Sequence, residues 1–68
     1  MQVLFENSAK KKRNIGTASS MQDAMKVISD FLNQHNYKSY YKRVWKVDEK
    51  TTKVDVGSHT EFFYIIED

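Results

Sequence analysis

Ser20-Met21-Gln22-Asp23-Ala24-Met25-Lys26-Val27-Ile28-Ser29-Asp30-Phe31-Leu32-Asn33-Gln34 is the stretch on which the fold turns. Met21, Ala24, Met25, Ile28, Phe31 and Leu32 recur at i, i+3, i+4 and i+7, so a helix gathers them into one apolar stripe. Gln22, Asp23, Lys26, Ser29, Asp30 and Asn33 fall on the other side. Ser19 or Ser20 can cap the first turn, and Asp23, three residues after Ser20, makes an acidic variant of the capping box. His35-Asn36 supplies a stop, because Asn tolerates the left-handed conformation at a helix end. A stripe with Met21, Met25 and Phe31 at this spacing reads as a core face laid on a sheet rather than as a dock for a partner helix.

The residues after the helix supply that sheet. Tyr40–Asp48 is rich in aromatic and β-branched residues, and Thr52–Val56 alternates Val54 and Val56 with Lys53 and Asp55. Asp48-Glu49-Lys50-Thr51 between them is a polar turn. A loop of two or four residues sets Trp45 opposite Val54 and Val47 opposite Thr52. Tyr41, Trp45, Val47, Val54 and Val56 then share the face under the helix, with Tyr40, Lys42, Val44, Lys46 and Lys53 on the other. A three-residue loop reverses that parity. In the first arrangement Arg43 falls on the core face, where it must reach the rim, pair with Glu61 or Asp55, or indicate that the faces are reversed.

Gly57-Ser58-His59 reads as a second turn. Glu61–Ile66 follows as a nearly continuous apolar strand, the pattern of a strand covered on both sides or lying in the sheet centre. Before the helix, Val3-Leu4-Phe5 predicts a first strand, Ser8–Lys12 a basic turn and Arg13–Ala18 a weaker second strand containing Gly16. The expected fold is α+β: a single helix packed on a small antiparallel sheet in the order β-β-α-β-β-β, as one domain spanning residues 1–68. Two layers with one helix leave one sheet face open to solvent or a partner.

A chain of 68 residues holds one core and can spare few positions for a buried catalytic apparatus. It contains no Cys, so neither a disulfide framework nor a thiolate metal cluster supplements that core. One Trp, four Tyr and four Phe are the substitute. The N-terminal Met-Gln-Val-Leu-Phe-Glu lacks the basic start and long apolar run of a signal peptide. No apolar stretch approaches the roughly 20 residues of a membrane span. The expectation is a cytoplasmic protein without membrane association.

The net charge of +2 is unevenly distributed. Residues 1–47 carry nine basic against three acidic side chains, and residues 48–68 two basic against six acidic. Asymmetry of this kind marks a polyanion-binding face unless paired strands bring the halves together and neutralise them. Lys10, Lys11, Lys12 and Arg13 form the densest cluster, readable as a phosphate-holding patch or as a solvated hairpin tip. Tyr40, Lys42 and Lys46 interleave basic and aromatic groups along a strand, as surfaces that stack bases and neutralise phosphates do. Longer RNA-recognition signatures are not matched.

His35 and His59 are the only histidines. His59 with Asp55 and Glu61 falls short of the three or four convergent ligands of a metal site. Ser58, His59 and Glu61 have the residue types of a hydrolytic triad, but near neighbours on a strand seldom converge in its geometry. With two glycines in the chain, no phosphate-cradling loop is present. No cofactor, metal, catalytic residue or small-molecule substrate is expected.

Tyr37-Lys38-Ser39-Tyr40-Tyr41-Lys42-Arg43-Val44-Trp45 and Asp55-Val56-Gly57-Ser58-His59-Thr60-Glu61-Phe62-Phe63 resemble small uncharacterised proteins encoded by phages and prophages of Gram-positive bacteria. The Tyr-Tyr-x-Arg-x-Trp and Asp-x-Gly-Ser-x-x-x-Phe-Phe stretches carry the resemblance. It implies a small accessory protein of a bacterial cytoplasm and brings no known activity. The expected function is a non-enzymatic protein-interaction module, with self-association as a homodimer through the aromatic C-terminal strand among its expected modes. Arg43, Trp45, Phe63 and Ile65 are its candidate contact residues. The alternative is nucleic-acid binding by Lys10, Lys11, Lys12, Arg13, Tyr40, Lys42 and Lys46.

Overall fold

The computed structural model describes residues 1–35, 42–57 and 60–67. Strands β1 (Gln2–Glu6) and β2 (Lys12–Thr17) precede helix α1 (Met21–Gln34), and β3 (Arg43–Lys46), β4 (Thr51–Asp55) and β5 (Phe62–Ile66) follow it. The strands form one sheet in the order β2-β1-β5-β4-β3, with every neighbouring pair antiparallel. The fold is thus α+β, one helix on a five-stranded antiparallel sheet, in the β-β-α-β-β-β order that the residue pattern predicts. Among the described residues no helix is long and apolar enough to cross a membrane.

The helix begins as its sequence dictates. Ser20 is the N-cap, its side chain accepting the Asp23 N–H at 3.1 Å, while the Asp23 carboxylate accepts from the Ser19 hydroxyl. It ends at His35, whose N–H donates to the Phe31 carbonyl at 3.1 Å and whose ring lies 4.2 Å from that of Phe31. Ala24, Ile28, Phe31 and Leu32 are buried, with Met21, Met25 and Val27 half-buried at the borders.

Under this stripe the sheet presents Val3 and Phe5 of β1, Phe63 and Ile65 of β5, and Val54 and Val56 from β4 and just beyond it. The rings of Phe5, Phe31 and Phe63 meet at centroid distances of 4.7, 5.3 and 5.5 Å, tying the helix to β1 and β5. Each large side chain removed from water in this way contributes about 2 kcal/mol.

A bulge brings β2 close to the helix. Leu4 faces Asn14 but Val3 faces Gly16, so Ile15 is the extra residue. The Asn14 side-chain oxygen accepts the Gly16 N–H at 2.8 Å across the bulge. A Cβ at Gly16 would stand 3.0 Å from a Val27 methyl, so a side chain at this crossing would require Val27 to give way by a few tenths of an ångström.

Two expectations are corrected. Val47 N–H donates to the Thr51 carbonyl at 2.9 Å, closing a loop of three residues, Asp48, Glu49 and Lys50. Trp45 therefore pairs with Lys53, and Val44 with Val54. The odd loop length moves Arg43 and Trp45 from the expected core face to the open one, and Val44 and Lys46 to the helix side. Tyr40 and Tyr41 lie outside the described residues. The second correction concerns the C-terminal strand. β5 is paired on both sides, with β1 and β4, and Phe63 and Ile65 are fully buried. It has no free edge for a second copy, and its two proposed contact residues are core residues.

Phe63→Ala should lower unfolding free energy by about 3–5 kcal/mol, enough to leave much of a domain this small unfolded in a urea titration. Thr52 is buried on the helix side with its hydroxyl unpartnered among the described residues. Replacing it with isosteric Val should raise stability by about 1 kcal/mol in the same titration.

Candidate interaction surface

The antiparallel registers place three rows of side chains on the face away from the helix. One row runs Lys12, Glu6, Phe62, Asp55, Arg43, and the next Asn14, Leu4, Tyr64, Lys53, Trp45. Thr17, Gln2, Ile66 and Thr51 form the third. Opposite charges sit side by side in the first row, Lys12 beside Glu6 and Arg43 beside Asp55. Ammonium groups cover the rings in the middle: Lys12 Nζ stands 4.3 Å from the Tyr64 centroid and Lys53 Nζ 4.1 Å from that of Phe62. The Tyr64 hydroxyl donates to Glu6 at 3.1 Å.

The candidate nucleic-acid residues other than Tyr40, which lies outside the described residues, are not brought together. Lys10 and Lys11 occupy the β1–β2 turn, where Asn7 Oδ1 accepts the Ala9 and Lys11 N–H groups and Lys10 has a φ of 63°. Lys12 lies on the open face. Arg13 points to the helix side, with its guanidinium 5.7 Å from the Phe31 ring and 6.0 Å from that of Phe5. Lys42 Nζ donates to the Ser29 hydroxyl of α1 at 2.6 Å. Lys46 pairs with Glu67 at 3.1 Å and donates to the Glu49 carbonyl. Ser58 and His59 lie outside the described residues. Among the described residues no group of three His, Asp or Glu side chains is placed to hold a metal ion.

The interaction candidates divide between core and rim. Phe63 and Ile65 are interior, whereas Arg43 and Trp45 are exposed, with the guanidinium 6.0 Å from the indole centroid. Trp45 is 40% exposed, and its neighbours Val44 and Val47 are 48% and 49% exposed. The side-chain alternation through Val44 and Val47 carries no signal of their exposure, because it does not encode how far the helix reaches across the sheet. That helix packs over β2, β1 and β5, so even the helix-side residues of β3 are uncovered. The signal for Trp45 was the loop length, one residue different from the assumed one.

β3 is also an edge. The Val47–Thr51 hydrogen bond fixes the alternation along the β3–β4 ladder, making Trp45–Lys53 and Arg43–Asp55 its hydrogen-bonded pairs. The N–H and C=O groups of Val44 and Lys46 consequently point away from β4, along an edge that pairs with no other described strand. The hairpin tip is held in place. Glu67 N–H donates to the Lys50 carbonyl at 2.8 Å, and Asp48 Oδ1 accepts the Lys50 N–H at 2.9 Å. A shallow groove between β2 and α1 is lined by Thr17, Ser19, Asp23, Lys26 and Asp30. Its Asp23 carboxylate is already engaged by Ser19.

No family model matches the sequence, and no curated protein or solved structure matches the chain.

The Lys50 N–H holds the Asp48 carboxyl below the ordinary aspartate value, assisted by Thr51 and by the charge of Lys46. Because the folded-state pKa is depressed, the turn's contribution is complete above the unfolded-state pKa. It is lost as pH falls through the folded value. Carboxyl-detected NMR should place the Asp48 midpoint below that of the denatured chain, and equal midpoints would remove this account of the turn.

Proposed function

We propose that this domain is a non-enzymatic protein-interaction module that receives an extended segment of a partner along the β3 edge, with Trp45 as its anchor. The observation that carries this reading is the clustering of Val44, Trp45 and Val47, the exposed large apolar side chains of the described residues, on and beside one edge strand whose outer side pairs with no other described strand. Edge strands left hydrophobic and unprotected recruit another strand, which satisfies their outward N–H and C=O groups. The opposite edge, β2, carries Lys12, Arg13 and Asn14 and is blunted by its bulge. Trp and Arg are the residue types that dominate interface energetics, and Arg43 lies beside Trp45. On the resemblance to phage and prophage proteins, we place this activity in an accessory protein of a bacterial cytoplasm.

A second reading, single-stranded nucleic-acid binding, is favoured by Phe62, Tyr64 and Trp45 sharing the open face with Lys12, Lys53 and Arg43. Glu6 and Asp55 in the same rows weigh against it, as does the dispersal of the other cations.

Selection of extended peptides from a random library on the immobilised domain tests the first reading. Binders should lose about tenfold or more in affinity with Trp45→Ala and keep it with Lys10→Glu or Lys11→Glu. Binding that ignores Trp45 would sink it. Oligonucleotide binding that falls steeply with added salt would install the second in its place.

A further inference from the structure

From the register of the free edge we infer that the segment received by β3 is β3 of a second copy, in a two-fold dimer whose axis passes through Trp45. The inference rests on the edge-binding reading above and names its occupant.

Hydrogen bonding across a two-fold axis requires outward-facing residues to meet one another. With Val44 and Lys46 outward, antiparallel self-pairing can be centred on Arg43, Val44, Trp45 or Lys46, but not between two residues. Centring on Arg43 sets Arg43 against itself. Centring on Val44 sets Lys42 against Lys46 of the second copy, and centring on Lys46 opposes two Lys46 ammoniums. Like charges directly opposite are destabilising.

Of these four registers centred within β3, the Trp45-centred one alone opposes no like charges. It pairs Val44 with Lys46 of the second copy, Arg43 with Val47, and Lys42 with Asp48, an opposite-charge pair made twice by symmetry. The two Trp45 residues meet as a non-hydrogen-bonded pair, the arrangement in which cross-strand side chains approach closest. All three exposed apolar residues are thereby covered: Trp45 by its counterpart, Val44 by the Lys46 methylenes and Val47 by the Arg43 stem. The result is a continuous ten-stranded sheet with its two indoles side by side on the open face. Its contact is short, the stretch Lys42–Asp48 of each copy, so the dimer forms at micromolar or higher concentration.

Trp45 is the only tryptophan and reports directly on the contact. In the full chain, sedimentation velocity from low micromolar to millimolar concentration should show monomer passing to dimer, with a parallel blue shift of tryptophan emission. Hydrogen exchange should show the Val44 and Lys46 amides protected only at high concentration, and the Trp45 amide protected throughout. Lys42→Asp should weaken the dimer roughly tenfold, a loss that added salt should diminish. Trp45→Lys, with its fold verified by an amide NMR spectrum, should remain monomeric.

Monomer at every concentration with Trp45-dependent peptide binding intact would overturn the second-copy assignment and leave the edge-binding reading standing. Loss of both would overturn both. A dimer indifferent to Lys42→Asp and Trp45→Lys, or one that leaves the Val44 and Lys46 amides exchanging freely, would place self-association on another surface and end this inference.

Discussion

The contact among Phe5, Phe31 and Phe63 is the constraint on which the rest of this structure depends. It fixes one helix over β1 and β5, and a single helix cannot cover five strands spaced about 4.8 Å apart. Gly16 draws that helix toward β2 by letting Val27 approach the backbone. What α1 gains on the β2 side it gives up on the β3 side. The exposure of Val44 therefore follows from a packing choice made at the opposite edge, not from any property of β3 itself.

The helix and the approximate position of each strand were legible because both are written in short periods. Ser20 and the stripe from Ala24 to Leu32 are local signals, and the observed helix follows them from cap to cap. Strand order was not legible. β1 and β5 lie at opposite ends of the chain and are neighbours in the sheet, a pairing with no local signature. The facing of β5 was hidden for a different reason. Phe62, Tyr64 and Ile66 are as apolar as Phe63 and Ile65, so alternation gave no contrast between the open face and the core.

The candidate surface was legible in composition and not in geometry. Arg43 and Trp45 were marked by residue type, but their face hinged on whether Asp48-Glu49-Lys50 closes a three-residue loop. A change of one residue moves every side chain of a strand to the other side. The difficulty of placing Arg43 in a core was the available warning. The charge asymmetry had a similar resolution: Glu6 lies beside Lys12, Asp55 beside Arg43 and Glu67 on Lys46, so the basic first part and acidic last part of the chain meet across the sheet. The asymmetry is a consequence of pairing distant strands, and it leaves no broad basic face.

The two edges of the sheet thus stand in different physical situations. At β2 the bulge at Ile15, the lysine and arginine side chains and the close helix all resist a further strand. At β3 the backbone groups of Val44 and Lys46 face outward from a regular ladder with apolar side chains on both faces. The ties from Lys50 and Lys46 to Glu67 hold this hairpin against the end of β5, so its edge is presented without a large ordering cost on binding. A small domain with few core positions to spare has left its largest exposed aromatic group where it adds nothing to the core. Trp45 is 40% exposed, and that uncovered part is apolar surface whose burial the isolated domain does not achieve.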